Sequence, residues 1–400
     1  MTSDKEGVRD KDPSYLTNNW ILKKISEYAE ITMGQSPPST SYNDFELGLP
    51  FLQGVRTFGY IFPCIDTWTS KPLKVAKPGS VLLSIRAPVG ELNLTNETIC
   101  IGRGLAALNG EDNRYLFYVL KFSKQDIIDM ESGTVFGAIT KGNLENLKLL
   151  VPSIEEQHSI SKFLFDLDSK IELNQQMNKT LESISQALFK HWFIDFEFPD
   201  ENGQPYKSSG GEMVDSELGK IPKDWEIGMI KDLATVTSGK RPGKKSDVKT
   251  DEYKVELIGA SSVMGYVKES LYIDPIIITG RVGTHGIIQR VGNPSWPSDN
   301  TLVLRSDYYE YVFQCMKLID FESLNIGSTQ PLITQTQIKE WRIAIPPKET
   351  IESFEILASS LYEKVNSNFE QIRTISSIRD LLLPKLISGK IRVPMEDTDV

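Results

Sequence analysis

The chain has 400 residues, a formal net charge of −10 and 40% hydrophobic residues. This composition is near the average of globular proteins, which excludes an intrinsically disordered or fibrous chain. Its apolar runs, such as Val81-Leu-Leu and Ile276-Ile-Ile-Thr, are far shorter than the roughly 18 residues that a membrane span needs. With three widely spaced cysteines and a polar N-terminus, we expect no disulfide framework and a soluble, cytoplasmic protein with no membrane partner.

Half of the excess negative charge lies in one short stretch. Residues 151–210 carry 5 basic and 10 acidic side chains, whereas residues 1–150 carry 16 and 17, and residues 211–346 carry 16 and 18. The two large segments are therefore nearly neutral, and the net charge does not exclude local basic faces on them.

The chain contains an internal repeat. Trp20 is followed by Ile31-Thr-Met-Gly34, and Trp225 is followed at the same spacing by Val236-Thr-Ser-Gly239. Further along, Gly137-Ala-Ile-Thr140 matches Pro331-Leu-Ile-Thr334, and this second offset continues without a gap into the segments that follow. The ordered matches predict a duplication whose middle parts differ in length, as loops on a common scaffold do.

Each copy is predicted to begin with a mixed α/β domain, at about 14–152 and 221–346. In these domains Val81-Leu-Leu-Ser-Ile and its counterpart Ile276-Ile-Ile-Thr are predicted as buried strands followed by glycine turns. Two short helices are predicted from the apolar runs Tyr115–Leu120 and Tyr309–Phe313.

Each copy is predicted to end in a long helix, in the regions 153–198 and 347–393, with a linker at 199–220 between the copies. Ser153-Ile-Glu-Glu156 has the spacing of a capping box and predicts the start of the first helix. Pro384 predicts the end of the second helix near Leu383, because proline lacks an amide donor. Roughly 35 residues per helix correspond to about 50 Å.

Matched apolar positions predict that the two helices pair as an antiparallel coiled coil with pseudo-twofold symmetry. The alternative is that each helix packs only on its own domain. Asparagines at the same predicted position of both helices favour the pair, since a polar residue fixes the register of a coiled coil. The predicted seam consists of Leu167, Ile171, Asn174, Leu181, Leu188, Leu361, Val365, Asn368, Ile375 and Leu382.

Motifs for catalysis are missing from the sequence. His158, His191 and His285 are scattered, no cysteine pair has zinc spacing, and neither a Walker A sequence nor an amino-methyltransferase signature occurs. Glu252-Tyr-Lys254 could be half of a nuclease motif, but no partnering acid is placed for it, and a solvated strand is by far the better explanation. We therefore predict a chain with no catalytic residue, no metal site and no cofactor of its own.

Four motifs mark the start of the second domain and the ends of the long helices. They are Val151-Pro-Ser-Ile-Glu-Glu-Gln157, Phe189-Lys-His-Trp-Phe-Ile-Asp-Phe196, Ser216-Glu-Leu-Gly-Lys-Ile-Pro-Lys-Asp-Trp-Glu-Ile227 and Leu382-Leu-Pro-Lys-Leu-Ile-Ser-Gly-Lys-Ile391. In this order the chain resembles the specificity subunit of type I restriction–modification systems over nearly its full length. It departs from the family pattern at Pro346–Glu352, where the usual Glu-Gln pair is degenerate.

The resemblance implies two target-recognition domains, each reading one half of a split, asymmetric sequence in double-stranded DNA. It also implies that the coiled coil sets the spacing and docks two methyltransferase subunits, which use S-adenosylmethionine, while restriction/motor subunits use ATP and Mg²⁺. Three alternatives stay open: a nuclease or methyltransferase active alone, a reader of a methylation-only system, and a scaffold that binds no DNA.

Candidate DNA contacts are basic and polar residues next to turns. Lysine clusters in loops are also typical of a solvated surface, but Arg86 and Arg281 each follow a predicted strand of the repeat. Arginine at such turns can bind phosphate or read base edges. The candidates are Arg86, Thr140, Lys240, Arg241, Lys244, Lys245, Arg281, His285, Gln330 and Thr334.

Overall fold

The computed structural model describes residues 20–130, 137–282, 286–292, 294–324 and 332–394. These residues form two compact units. Unit 1 combines the described residues up to Met177 with those from Asn368 onward, and unit 2 runs from Asn178 to Ser367. Within the described ranges, no helix combines the length with the apolar character that a membrane crossing requires.

The domain of unit 1 contains eleven strands and four short α-helices among the described residues. The strands are β1 Ile21–Lys24, β2 Ala29–Met33, β3 Tyr42–Asn43, β4 Leu49–Leu52, β5 Trp68–Thr69, β6 Val75–Ala76, β7 Val81–Ser84, β8 Leu92–Leu94, β9 Ile99–Ile101, β10 Leu105–Gly110 and β11 Lys148–Val151. The helices are α1 Ile25–Tyr28, α2 Asn113–Phe122, α3 Lys124–Ile128 and α4 Lys141–Glu145.

Unit 1 is built on a four-stranded antiparallel sheet of order β2-β10-β7-β8. A mixed sheet of order β3-β5-β4-β9-β6, in which β4 and β9 are parallel, and the pair β1-β11 complete the domain. Buried Val81, Leu83 and Leu108 of the first sheet pack with Tyr115 and Tyr118 of α2 in one hydrophobic core. The two central strands are buried over most of their length, with Val81–Ser84 of β7 and Leu105–Leu108 of β10 all buried.

The first long helix, α5, spans Ile154–Phe189, and a π-helical turn continues it over Lys190–Ile194. Unit 2 then has the strands β12 Met213–Ser216, β13 Gly219–Pro222, β14 Glu226–Met229, β15 Thr235–Ser238, β16 Val255–Ile258, β17 Val263–Val267, β18 Ile276–Gly280, β19 Ile288–Val291, β20 Ser295–Pro297, β21 Thr301–Arg305 and β22 Arg342–Ile345. Its helices are α6 Ile230–Leu233, α7 Tyr309–Lys317 and α8 Gln335–Lys339, and the second long helix, α9, spans Lys348–Ile387.

Unit 2 repeats the plan of unit 1. Its four-stranded sheet has the order β15-β21-β18-β19, its terminal pair is β14-β22, and its mixed sheet β17-β16-β20 contains a parallel pair. Tyr115 of α2 and Tyr311 of α7 are both buried, and each hydroxyl donates to a backbone carbonyl of the last strand of its domain, Leu150 and Ala344. The mixed α/β class and the predicted repeat are confirmed.

The ends of the long helices follow the predicted signals in one case but not the other. The Ser153 hydroxyl accepts the Glu156 backbone N–H at 3.3 Å, as a helix start at this serine requires. Pro384, however, does not end α9, which continues to Ile387. A proline in the last turn removes only one hydrogen bond, and the helix ends instead near Gly389, whose φ of 70° is left-handed.

The long helices run antiparallel within each unit. In unit 1, Asp168 and Asn174 of α5 bond to Arg379 and Gln371 of α9, so the residue numbers rise on one helix as they fall on the other. In unit 2, Ser185 lies next to Tyr362, and the Phe189 ring is 5.8 Å from that of Phe354.

The ten predicted seam residues differ in burial. Ile171, Asn174, Val365 and Asn368 are buried. Leu167, Leu181, Leu188, Leu361, Ile375 and Leu382 are half-buried. A single continuous seam through these ten residues stays a prediction, since several buried positions of α5 carry polar side chains instead, such as Gln157, Ser161 and Asp168.

A buried ionic cluster joins the long helices to the domain of unit 1. Asp168 is 1% exposed, and it accepts hydrogen bonds from the Tyr60 hydroxyl at 2.7 Å, the Tyr118 hydroxyl at 2.9 Å and the Arg379 guanidinium at 2.6 Å. Lys121 lies 3.6 Å away. Burial alone would raise the pKa of Asp168, but the charges of Lys121 and Arg379 and the hydrogen bonds hold it below its ordinary value.

The helix–domain contact of unit 2 combines neutral hydrogen-bonding groups with an ion pair. Gln314 of α7 donates to the Ser185 hydroxyl at 3.2 Å and to the Tyr362 hydroxyl at 3.1 Å. The Arg290 guanidinium stacks on the Tyr362 ring at 3.5 Å and pairs with Glu310. The helix–domain contacts of the two units therefore use different sets of polar partners.

Arg379→Ala is expected to lower the free energy of unfolding by about 3 kcal/mol at neutral pH, because it removes the cation closest to the buried Asp168 carboxylate. Urea denaturation followed by circular dichroism measures this change. The control is Arg373→Ala, an exposed arginine of the same helix, for which a change within about 0.5 kcal/mol is expected.

The effect of Arg379→Ala is expected to depend on pH. Because the folded pKa of Asp168 lies below the unfolded value near 4, the stabilisation is fully present above about pH 4 and is lost as the pH falls through the folded pKa. The difference between wild type and variant should therefore shrink in acid. A difference that is constant between pH 7 and pH 3 would contradict this role of the carboxylate.

Candidate nucleic-acid interface

In unit 1, one end of the four-stranded sheet faces α5 and the other does not. At the first end, the Tyr28 hydroxyl donates to Gln157 at 2.5 Å and the Ser161 hydroxyl donates to Asp112 at 2.9 Å. The opposite end is closed by backbone hydrogen bonds from Gly34 to Leu105 at 2.9 Å, from Ile85 to Gly104 at 2.9 Å and from Ile139 to Ile85 at 3.0 Å. We call this opposite end the distal sheet end.

Unit 2 has a distal sheet end of the same construction. Backbone N–H groups of Gly239, Arg281 and Ile333 donate to the carbonyls of Thr301, Asn300 and Arg281, at 3.1, 2.8 and 3.0 Å. At the other end of this sheet, Glu355 of α9 accepts the backbone N–H groups of Glu310 and Tyr311. The segments that carry most of the predicted DNA-binding residues therefore meet at the distal sheet ends.

The predicted basic loop of unit 2 starts at its distal sheet end. Lys240 is anchored by its backbone, which donates to Pro297 at 3.0 Å and accepts the indole N–H of Trp296 at 2.7 Å. The side chains of Lys240, Arg241 and Lys244 are exposed. Lys245 is also exposed but pairs with Asp247 at 3.1 Å. The anchored backbone holds a run of cations at the surface.

Arg86 and Arg281 do not occupy equivalent positions, contrary to the expectation from the sequence. The hydrogen-bond pattern of the two distal sheet ends makes Ile85 the counterpart of Arg281, and Val282 the counterpart of Arg86. Because side chains alternate between faces along extended chain, a shift of one residue reverses the side to which an arginine points. Accordingly, Arg86 is exposed, whereas Arg281 is half-buried with its Nε shielded from solvent.

Thr140 and Thr334 are equivalent, and both cap short helices. The hydroxyl of each accepts a backbone N–H three residues on, from Asn143 at 3.2 Å and from Gln337 at 3.3 Å. These bonds give both threonines a structural role, worth about 1 kcal/mol in helix stability. The predictions for His285 and Gln330 lie outside the described residues.

Sequence reasoning missed one basic residue of the distal sheet end in unit 1. Arg103 is exposed in the turn Gly102-Arg-Gly104 that leads into β10, and its backbone N–H donates to the Ser36 hydroxyl at 3.2 Å. An arginine between two glycines directly before a buried strand was the available signal, since glycine permits a tight turn.

A cavity of about 910 Å³ lies at the helix-facing end of the sheet in unit 2. Acidic residues outnumber basic ones in its lining: Asp232, Asp274, Asp307, Glu310, Glu355 and Glu363 against Lys231, Arg290 and Arg305. Burial raises the pKa of Glu355 to about 7, although two backbone N–H groups oppose the shift. Such an acidic lining repels phosphate, so the cavity does not compete with the distal sheet end as a nucleic-acid site.

Among the residues that the structure describes, no group of three or more His, Cys, Asp or Glu side chains could hold a metal ion. The three free cysteines are also separate, with Cys100 and Cys315 buried and Cys64 exposed. What the described surface offers at the distal sheet ends is hydrogen-bond donors and positive charge, which suit binding of an anionic polymer.

Comparison with known proteins identifies the family. The model of the type I restriction modification DNA specificity domain matches residues 18–183 and, a second time, residues 222–360. A Methanocaldococcus jannaschii relative named for the MjaX type I restriction enzyme is 43% identical over 179 residues, and the match spans 42% of that relative and 43% of this chain.

Two further matches cover nearly the whole chain. The type I restriction enzyme MjaIX specificity subunit of M. jannaschii is 26% identical over 425 residues, with 96% of both chains covered. In fold, the chain is similar to the crystal structure of a type I restriction–modification S subunit from M. genitalium, with a TM-score of 0.64 and 16% identity over 93% of this chain and 97% of that one. With two matching domains over more than half of its length, the chain belongs to the family of type I restriction–modification DNA specificity subunits.

Proposed function

We propose that the domains at 14–152 and 221–346 each read one half of a bipartite, asymmetric sequence in double-stranded DNA. One observation carries this proposal: the two distal sheet ends share their backbone hydrogen bonds but present different side chains. A duplicated scaffold with different surfaces suits recognition of two different half-sites, because base contacts depend on side chains while docking depends on the scaffold.

The exposed cations of unit 2 are proposed to bind the phosphate backbone. Lys240, Arg241 and Lys244 follow one another on a loop whose start is fixed by hydrogen bonds. Phosphate contacts of this kind orient a protein on DNA and make the affinity fall with salt. Arg281, which is half-buried, is proposed to contact DNA through its terminal nitrogens, and the exposed Arg86 takes a similar role in unit 1.

The long-helix regions 153–198 and 347–393, with the linker at 199–220, are proposed to set the spacing between half-sites. At about 1.5 Å per residue, the 36 residues of α5 and the 40 residues of α9 correspond to roughly 54 and 60 Å. Half-sites one DNA turn apart, about 34 Å, are within reach of such helices. The predicted seam residues would maintain this spacing by fixing the register of the pair.

The outer faces of the long helices are proposed to dock two methyltransferase subunits. Both helices expose apolar side chains in each unit: Phe163, Leu173, Phe369, Ile378 and Leu381 in unit 1, and Ile184, Ile356 and Leu357 in unit 2. Exposed apolar groups on otherwise polar helices are typical of protein interfaces. Two units of one plan would bind two copies of one partner.

In this proposal the chain itself is not catalytic and holds no cofactor. The methyltransferase subunits supply S-adenosylmethionine and adenine methylation, and restriction/motor subunits bring ATP and Mg²⁺, all in the cytoplasm. A chain with net charge −10 then needs its partners for part of the phosphate contacts, since nonspecific affinity for DNA comes mainly from cations.

Genome-wide adenine methylation tests the proposed function. Cells that express the chain with its methyltransferase are compared with cells that lack only this chain. A split motif is expected only when the chain is present, because it alone supplies sequence recognition. Identical methylation in the two cell types would contradict the proposal and favour a scaffold that binds no DNA, provided that the chain and the methyltransferase are expressed and associated in the first.

Replacing Lys240 and Lys244 together by alanine is expected to weaken binding of the assembled complex to all DNA sequences. If each lysine neutralises one phosphate, the slope of log K against log salt becomes shallower by about two. Fluorescence anisotropy at several salt concentrations measures this slope. The matched control removes the exposed Lys220 of β13 and the exposed Lys231 of α6, which precedes the opposite end of β15. An equal effect of both double variants would argue against this surface.

Glutamate at an exposed apolar position of a long helix is expected to prevent docking in one unit only. Leu381→Glu and Ile356→Glu should each reduce the methyltransferase copies per chain from two to one, because a buried unpaired carboxylate is costly. Native mass spectrometry counts the copies. Lys364→Glu, at another exposed position of α9, is the control and should keep two bound copies. If the variant that combines Leu381→Glu with Ile356→Glu still bound two copies, this face would be ruled out.

A further inference from the structure

We propose that Arg103 in unit 1 and Asp299 in unit 2 are counterpart specificity residues that read different bases in the two half-sites. The inference rests on the proposed function, in which the distal sheet ends face DNA. The inference goes beyond the proposed function because it names one residue in each domain and the chemical group of the base that this residue contacts.

Hydrogen bonds establish that the two residues occupy the same position. In unit 1, the N–H of Gly102 donates to Leu52 at 2.8 Å, and the N–H of Leu105 donates back to Gly102 at 3.0 Å. In unit 2, the backbone N–H of Ser298 donates to the carbonyl of Ile258 at 2.9 Å, and the backbone N–H of Thr301 donates to the carbonyl of Ser298 at 3.1 Å. Arg103 and Asp299 are thus each the second residue of the same turn, between the parallel strand and the central sheet.

Both turns are held firmly by their surroundings. A Cβ atom on Gly102 would lie 2.8 Å from the Cα of Gln53, and one on Gly104 would lie 2.5 Å from its carbonyl oxygen, so neither position accepts a side chain without movement. In unit 2, the Thr301 hydroxyl donates to the Ser298 carbonyl at 2.7 Å. A fixed backbone under an exposed side chain is what base recognition requires, because small displacements break bidentate hydrogen bonds.

The two side chains have opposite chemistry. Arg103 offers only donors, and in the major groove its guanidinium matches the O6 and N7 acceptors of guanine. Asp299 offers only acceptors and is repelled by phosphate, so the DNA group that suits it is a base amino group. In the major groove these groups are cytosine N4 and adenine N6, and cytosine suits a carboxylate better because adenine presents the N7 acceptor beside its amino group. The first half-site is therefore expected to contain a guanine read by Arg103, and the second a cytosine read by Asp299.

The neighbouring residue explains how an acid can approach DNA in unit 2. Gln35 and Lys240 are counterparts, since their backbone N–H groups donate to the equivalent carbonyls of Ile101 and Pro297. Asp299 thus lies beside the turn that begins the basic loop, whereas Arg103 lies beside a neutral glutamine. The lysines attract the phosphates that would repel an isolated carboxylate.

The test uses the assembled complex of the full chain with its methyltransferase subunits. Arg103→Ala should relax one position of the first half-site only, and Asp299→Ala one position of the second half-site only, in the genomic methylation motif. Competition binding should show a loss of roughly tenfold to a hundredfold in preference for the original base. Controls are Lys77→Ala and Asp307→Ala, two exposed residues near the helix-facing ends of the same sheets.

A second variant separates base reading from charge. Arg103→Lys keeps the positive charge but loses the planar pair of donors, so it should lose specificity while keeping the salt dependence of binding. If Arg103→Ala instead weakens all sequences equally and leaves the motif unchanged, Arg103 is a phosphate contact and the inference is overturned. Unchanged motifs in both alanine variants, with wild-type complex still sequence-specific, overturn it while the proposed function stands. A wild-type complex without sequence preference would remove the proposed function itself.

Discussion

The contact between each domain and the long helices depends on buried polar groups that no single segment can satisfy. Asp168 on α5 needs Tyr60, Tyr118 and Lys121 from the domain and Arg379 from α9. A carboxylate at this depth is costly unless all its partners are in place. Unit 1 therefore requires residues from both ends of the described chain at once, and the positions of its sheet and turns follow from that assembly.

The duplication preserved backbone geometry and changed the side chains that support it. In unit 1, the N-terminus of α2 is capped by Asp112, which in turn accepts a hydrogen bond from Ser161 of α5. In unit 2, the corresponding end of α7 is capped by Glu355 from α9. The same unsatisfied N–H groups are bound in two ways, because the requirement belongs to the helix and not to a particular residue. A fold that tolerates such exchange can carry two different recognition surfaces.

Much of this architecture was predictable, and the errors have physical causes. The tryptophan and threonine anchors, the buried strands at Val81 and Ile276 and the glycine-free helices were found because apolar patterns and turn residues act locally. Pro384 was misjudged, since proline is tolerated in a last turn where few hydrogen bonds remain. The prediction that Arg86 and Arg281 are equivalent positions was wrong because the register is set by the neighbouring strands and cannot be read from one strand alone.

The repeat, the mixed class, the two long helices and, through its motifs, the family can all be read from the amino-acid sequence. These depend on composition, spacing and local propensity, which act along the chain. The folded chain was needed to show which residues share the distal sheet ends, that Arg103 and Asp299 occupy one equivalent turn, and that Arg281 corresponds to Ile85. Those facts follow from hydrogen bonds between segments far apart in sequence, such as Gly102 with Leu52 and Ile333 with Arg281, and no local pattern encodes them.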